Sequence, residues 1–133
     1  MVTVWGGPNF PMDVESQQTF MNNCPNVDFY VPIEGEVGFS NIIEKIINFS
    51  ESNFNKEILF KKSIDGCISR KFDGSLQFSI PEIRTKNLDE IPSPYLTGLM
   101  DKFFDGKLTP MIQTNRGCPF TCSFCVDGSD SVQ

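Results

Sequence analysis

The sequence predicts an α/β fold: a parallel sheet with helical crossovers, then a β-hairpin, a linker and a short final strand. Three observations predict it. Short β-type runs alternate with helical patterns over the first fifty residues. An Asp-Gly turn separates two further strand-like runs. Prolines then gather between residues 81 and 94, where a domain boundary is expected. The chain has 133 residues, enough for one moderate core. Hydrophobic residues at 39% and charged residues at 21% fit a globular protein rather than a disordered one. No apolar run approaches the length of a membrane span.

The elements follow in order. Val2-Thr3-Val4-Trp5 reads as a strand stopped by Gly6-Gly7-Pro8, and residues 13–22 as a weakly patterned helix. Residues 27–31 form a second strand stopped by Pro32. After Glu34-Gly35-Glu36, the residues Phe39, Ile42, Ile43, Ile46 and Ile47 recur at helical spacing and form one apolar stripe. Residues 50–60 are polar and Asn-rich, a loop. Residues 64–71 and 75–80 flank Phe72-Asp73-Gly74 as a hairpin. Ser93-Pro94 suits the start of a helix, with Leu96, Leu99, Met100 and Phe103 on its apolar face and Asp105-Gly106 ending it. Residues 109–114 read as a last strand running into Arg116-Gly117-Cys118. Two parallel strands are too few for a sheet, so the sequence is expected to be truncated at both ends.

Charge and composition exclude several functions. The net charge is −6. Residues 1–60 carry eight acids against Lys45 and Lys56, and no basic stripe suits a nucleic-acid backbone. With no histidine, the chain holds no Ser-His-Asp triad, no Cys2His2 finger and no Rieske centre. The start lacks the basic and apolar segments of a secretory signal, so a cytoplasmic location is expected, with neither nucleic acid nor membrane as a partner.

The five cysteines are the most informative feature. Cys24 and Cys67 stand alone and read as small hydrophobes. Cys118-x3-Cys122-x2-Cys125 places three thiols on one loop after a strand, a grip for a compact inorganic centre. A structural zinc site would require a fourth ligand from Cys24, Cys67 or an oxygen such as that of Asp127. A cluster held by three cysteines instead leaves one iron open to chemistry.

The stretch Thr114-Asn115-Arg116-Gly117-Cys118-Pro119-Phe120-Thr121-Cys122-Ser123-Phe124-Cys125 resembles the signature of the radical S-adenosylmethionine superfamily. Upstream, Gly6-Gly7-Pro8, Glu34-Gly35-Glu36 with Phe39, and Leu88-Asp89-Glu90-Ile91-Pro92 resemble the cobalamin-binding-like domain that precedes the barrel in many of these enzymes. The resemblance implies the C-terminal part of a Rossmann-like domain over residues 1–80, a linker with a helix over 81–108, and the start of a partial (β/α) TIM barrel over 109–133.

It further implies that Cys118, Cys122 and Cys125 hold a 4Fe-4S cluster whose fourth iron chelates S-adenosylmethionine. Reductive cleavage would then give a 5′-deoxyadenosyl radical. Phe124 would lie beside the adenine, and Gly6 and Gly7 would let a cobalamin tail approach the backbone; a tight turn explains the glycines equally well. Arg116 either pairs with an acidic or cofactor group or is a solvated or structural arginine, Gly117 and Pro119 shape the loop, and Glu36 suits the start of the following helix. No general acid or base is assigned within the chain. The implied partners are a small-molecule substrate and an electron donor such as a flavodoxin or ferredoxin. With cobalamin, the expected reaction is methylation of an unactivated carbon or phosphorus. The residues 1–133 are expected to be inactive alone. The competing reading is a non-catalytic metal or electron-transfer module with a closed site.

Overall fold

The computed structural model describes residues 1–7, 9–50, 56–80, 87–112, 120 and 122–124, leaving aside the side chains of Ser50 and Lys56. The chain divides into two compact units, Met1–Asn87 and Leu88–Gln133. Among the described residues, no helix is long and apolar enough to cross a membrane.

The first unit is a four-stranded sheet with helices on both faces. Strand β1 (Val4–Gly7) leads to helix α1 (Val14–Asn23), then β2 (Phe29–Pro32) and α2 (Gly35–Ser50). A short helix α3 (Lys56–Leu59) precedes β3 (Cys67–Arg70) and β4 (Leu76–Ser79). The strand order is β1-β2-β3-β4. β1 and β2 are parallel, with Val4 opposite Phe29 and Gly7 opposite Pro32. β3 is antiparallel to β2, and β4 is antiparallel to β3. The sheet is therefore mixed, and the hairpin read as a separate element completes it.

The reason lies in the path from α2 to β3. Lys45 Nζ donates to Lys62 O at 3.1 Å, and Asn41 Nδ2 donates to Asp65 O at 2.9 Å. Gly38 then packs against Gly66. These contacts run down the sequence of α2 as they run up the returning segment. The chain thus travels back along the helix and re-enters the sheet from the carboxyl end of β2, so β3 must run antiparallel.

β2 is buried along its whole length, so both sheet faces carry a core. On one face Phe29, Val31, Ile42, Leu59, Phe60, Ile64 and Cys67 pack beneath α2 and α3. On the other, Phe10, Met21, Val27, Tyr30 and Ile68 pack with α1. Phe10 stacks on Tyr30 with ring centroids 3.8 Å apart. Helix α1 begins where its cap dictates: Asp13 Oδ1 accepts from Ser16 N at 2.8 Å. At its far end the Arg70 guanidinium donates to Met21 O, a cation against the carbonyl end of the helix. The hairpin turn closes through Lys71 N to Ser75 O at 2.8 Å, with Gly74 at φ +82°.

Several expectations require correction. The first strand runs Val4–Gly7 rather than 2–5, so Gly6 and Gly7 pair with Val31 and Pro32 inside it instead of stopping it. The segment 50–60 is not simply a loop, because Leu59 and Phe60 anchor α3 in the core. The apolar stripe of α2 is only partly inward: Ile42 is buried, whereas Phe39, Ile43 and Ile47 are exposed. No continuous helix follows Ser93. One turn forms, with Thr97 N donating to Ser93 O at 3.0 Å, and Gly98 at φ +78° breaks it. A single 3-10 turn, Asp101–Phe103, follows.

Within this second unit, Tyr95 Oη accepts from Met111 N at 3.2 Å and donates to Met111 O at 3.0 Å. Residues 109–112 form no strand, and Met111 and Ile112 are exposed; a strand requires a neighbour, and none of the described residues supplies one. The partial barrel has no counterpart among the described residues.

A methyl at Gly38 would lie 2.4 Å from the Gly66 carbonyl oxygen, and one at Gly66 would lie 2.6 Å from Gly38 Cα. Backbone atoms cannot yield as side chains do. Gly38→Ala and Gly66→Ala should each lower stability by more than about 2 kcal/mol, measured by urea denaturation, whereas Gly35→Ala, which meets open space, should not.

Candidate functional site

The chemistry-bearing features fall in two places, one in each unit. In the first unit, β1, β2 and β4 point the same way, so their carboxyl ends share one edge of the sheet. A cavity of about 170 Å³ opens there, lined by Phe10, Pro11, Met12, Gln17, Pro32, Ile33 and Ile80. Open α/β sheets bind ligands beyond this edge. The lining is apolar apart from the Gln17 amide, which is buried and whose Nε2 donates to Pro11 O at 2.8 Å. Ile33 sits at φ 59°, a left-handed conformation that a β-branched side chain resists. Such an outlier costs on the order of 1–3 kcal/mol and marks places where packing overrules local preference. Neither Gln17 nor Ile33 carries a sequence signal of this role.

The two glycines differ. A Cβ on Gly6 would lie 2.9 Å from the Val31 carbonyl oxygen, so close strand pairing alone accounts for it. Gly7 is at φ +120° with open space around it, and its carbonyl accepts from Tyr30 Oη at 3.4 Å. Gly7 closes β1 at its carboxyl end, the same end of the sheet as the cavity. Glu36 stands in the first turn of α2, where a negative charge is favoured.

In the second unit, Cys122 is free and exposed, and Phe120 and Phe124 are exposed beside it. Arg116, Gly117, Cys118, Pro119, Cys125 and Asp127 lie outside the described residues. Among the described residues, no group of three or more His, Cys, Asp or Glu side chains could hold a metal. The donor set in the sequence is three soft thiols without histidine, which suits an iron–sulfur centre.

The other cysteines behave as core residues. Cys24 packs partly buried against the α1-side core. Cys67 is buried in the α2-side core, with Sγ 3.1 Å from Ile64 O. Burial pushes its thiol up to about 12, a shift that nearby Lys45 only partly offsets. A protonated thiol sealed in a core is not a ligand, which weakens the closed-site reading at Cys67.

Comparison with known proteins gives a consistent picture. The chain is 35% identical over 132 residues to an uncharacterised methyltransferase of Pyrococcus horikoshii, covering 98% of this chain and 25% of that protein. It is 30% identical over 139 residues to 2-(S-pantetheinyl)-carbapenam-3-carboxylate methyltransferase of Streptantibioticus cattleyicolor, covering 99% and 18%. It is 27% identical over 139 residues to the cobalamin-dependent radical SAM methyltransferase TokK of Streptomyces tokunonensis, again covering 99% and 18%. These relatives are methyltransferases. The chain spans about a fifth to a quarter of their length. No family model matches, and no solved structure matches.

The thiols should separate by environment. In native protein at pH 8, iodoacetamide should modify Cys122 rapidly and leave Cys67 unmodified until denaturant is added, as read by peptide mass spectrometry. Because the folded thiol is raised from 9.0 to about 12, its contribution to stability is whole below pH 9. That contribution is lost as pH rises from 9 through about 12, so unfolding should become easier across that window.

Proposed function

We propose that residues 1–133 join a cobalamin-binding-like domain to the start of a radical S-adenosylmethionine domain in a methyltransferase. The observation that carries this reading is the order of parts on one chain: a parallel βαβ unit, then a proline-rich stretch, then Cys118-x3-Cys122-x2-Cys125. Alignment along nearly the whole chain with methyltransferases supports it, one of them named as cobalamin-dependent and radical SAM.

In this reading residues 1–80 belong to the cobalamin-binding-like domain, 81–108 link the two, and 109–133 open the radical domain. Cys118, Cys122 and Cys125 hold a 4Fe-4S cluster as thiolates. When bound, the cluster supplies the electron that opens the sulfonium of S-adenosylmethionine. Phe124 offers an aromatic face to the adenine. Gly7 and the apolar cavity at the same end of the sheet border the cobalamin, with Gln17 as the polar side chain among the described lining residues. The three-thiol donor set fits the cluster, and the open backbone at Gly7 fits a bulky cofactor better than Gly6 does. The enzyme works in the cytoplasm, takes its electron from a flavodoxin- or ferredoxin-type donor, and methylates a small molecule.

The test is anaerobic reconstitution with iron and sulfide, followed by EPR of the reduced protein. The complete polypeptide should show a cluster signal that changes on adding S-adenosylmethionine. Cys118→Ala, Cys122→Ala and Cys125→Ala should each abolish that change, while Cys67→Ala should keep it. A signal indifferent to S-adenosylmethionine would return the reading to a closed electron-transfer site.

A further inference from the structure

Met111 and Ile112 are 87% and 68% exposed, so burial of their side chains does little to hold residues 109–112 in place. Among the described residues, the hold comes from one hydroxyl. Tyr95 Oη accepts from Met111 N at 3.2 Å and donates to Met111 O at 3.0 Å. In a paired strand a neighbouring backbone closes both groups of a residue; here a single side chain takes the place of that neighbour. The hydroxyl is itself fixed from several sides. Tyr95 stands in the turn after Ser93, where Thr97 N and Thr97 Oγ1 both donate to Ser93 O, at 3.0 and 3.1 Å. Met100 N donates to Pro94 O at 3.2 Å, and the Tyr95 and Phe104 rings lie 5.9 Å apart. With Phe103, Leu108 and Pro110, Tyr95 also lines an apolar cavity of about 240 Å³. Asp105 Oδ1 accepts from Lys107 N at 2.9 Å and Leu108 N at 3.3 Å, and this turn sends the chain back toward Tyr95.

Met111 precedes Cys118 by seven residues in the sequence. We propose that Tyr95 is a positioning residue for the cysteine loop: its hydroxyl fixes the Met111 backbone and so sets the point from which the chain runs to Cys118, Cys122 and Cys125. The inference rests on the reading that these three thiols hold the cluster. Gathering them on one centre costs conformational entropy, and that cost falls as fewer residues separate the loop from a fixed point of the backbone. Tyr95 places such a point close to the first ligand. The role belongs to the oxygen. A phenylalanine keeps the ring against Phe104 and in the cavity wall, but it leaves both Met111 groups to water.

The test uses the complete polypeptide and compares wild type with Tyr95→Phe and Thr97→Ala. Thr97→Ala removes a hydrogen bond of the same turn without touching Met111. Three readouts are taken: deuterium exchange at the Met111 amide, the half-time of iron release to a chelator after anaerobic reconstitution, and the S-adenosylmethionine concentration giving half the EPR change. Pro110 has no amide, so a fragment of residues 110–112 reports Met111 and Ile112 alone. In wild type the Met111 amide should exchange at least about tenfold more slowly than in a free peptide. Tyr95→Phe should abolish that protection, shorten the iron half-time about threefold or more, and raise the half-point for S-adenosylmethionine by a similar factor. Thr97→Ala should leave all three near wild type. Free exchange at Met111 in wild type overturns the proposal, and this readout needs no variant to fold. Iron release in Tyr95→Phe that matches wild type also overturns it, as does an equal change in Thr97→Ala, which would assign the effect to general loosening. A wild-type signal indifferent to S-adenosylmethionine overturns the proposed function but not the positioning role, which iron release still decides. A polypeptide that takes up no metal overturns both.

Discussion

A strand buried on both faces has to be covered twice, and β2 imposes that demand on everything around it. Phe29 and Val31 point one way and Tyr30 the other, and all three are nearly inaccessible. One set draws α2 and α3 onto its face, and the other draws α1 and the Phe10 ring. Removing large apolar side chains from water at about 25 cal/mol per Å² is the main favourable term available to so small a unit. The hydrogen bonds mostly fix register; the burial decides that there is a sheet to register.

The second constraint is closeness. α2 lies against the turn before β3 with backbone touching backbone at Gly38 and Gly66. Without a side chain at either position, the helix can settle low enough for Ile42 to reach the core. That approach also sets which flank of α2 faces β3 and which flank carries the partly exposed apolar residues. Packing at two glycines thus propagates to the position of the Phe39–Ile43–Ile47 row.

The site follows from strand direction. Because β1, β2 and β4 share an orientation, the loops after them converge on one edge and enclose a small apolar cavity. Ile33 is held there in a conformation its own side chain disfavours, between the end of β2 and the start of α2. The cysteine loop belongs to the other unit, where the described residues keep Cys122 and its flanking phenylalanines open to solvent.

By itself the sequence determined the elements whose signals are local. The Asp-Gly hairpin, the start of α1 at Asp13, the presence of the first two strands and the long helix after Gly35 can all be read from caps, turns and periodicity, although β1 runs on through Gly6 and Gly7. The three-cysteine spacing is equally local, because it is read within eight residues of the sequence.

Tertiary structure decided the rest. Whether β3 runs parallel depends on the return path along α2, and that rests on contacts between residues far apart in sequence. Which residues of the α2 stripe are core depends on which flank meets the sheet. The turn after Ser93 fails to extend because Gly98 takes a left-handed conformation, and the apolar spacing around it carries no sign of that. Periodicity reports that a face is apolar; only packing decides what, if anything, covers it.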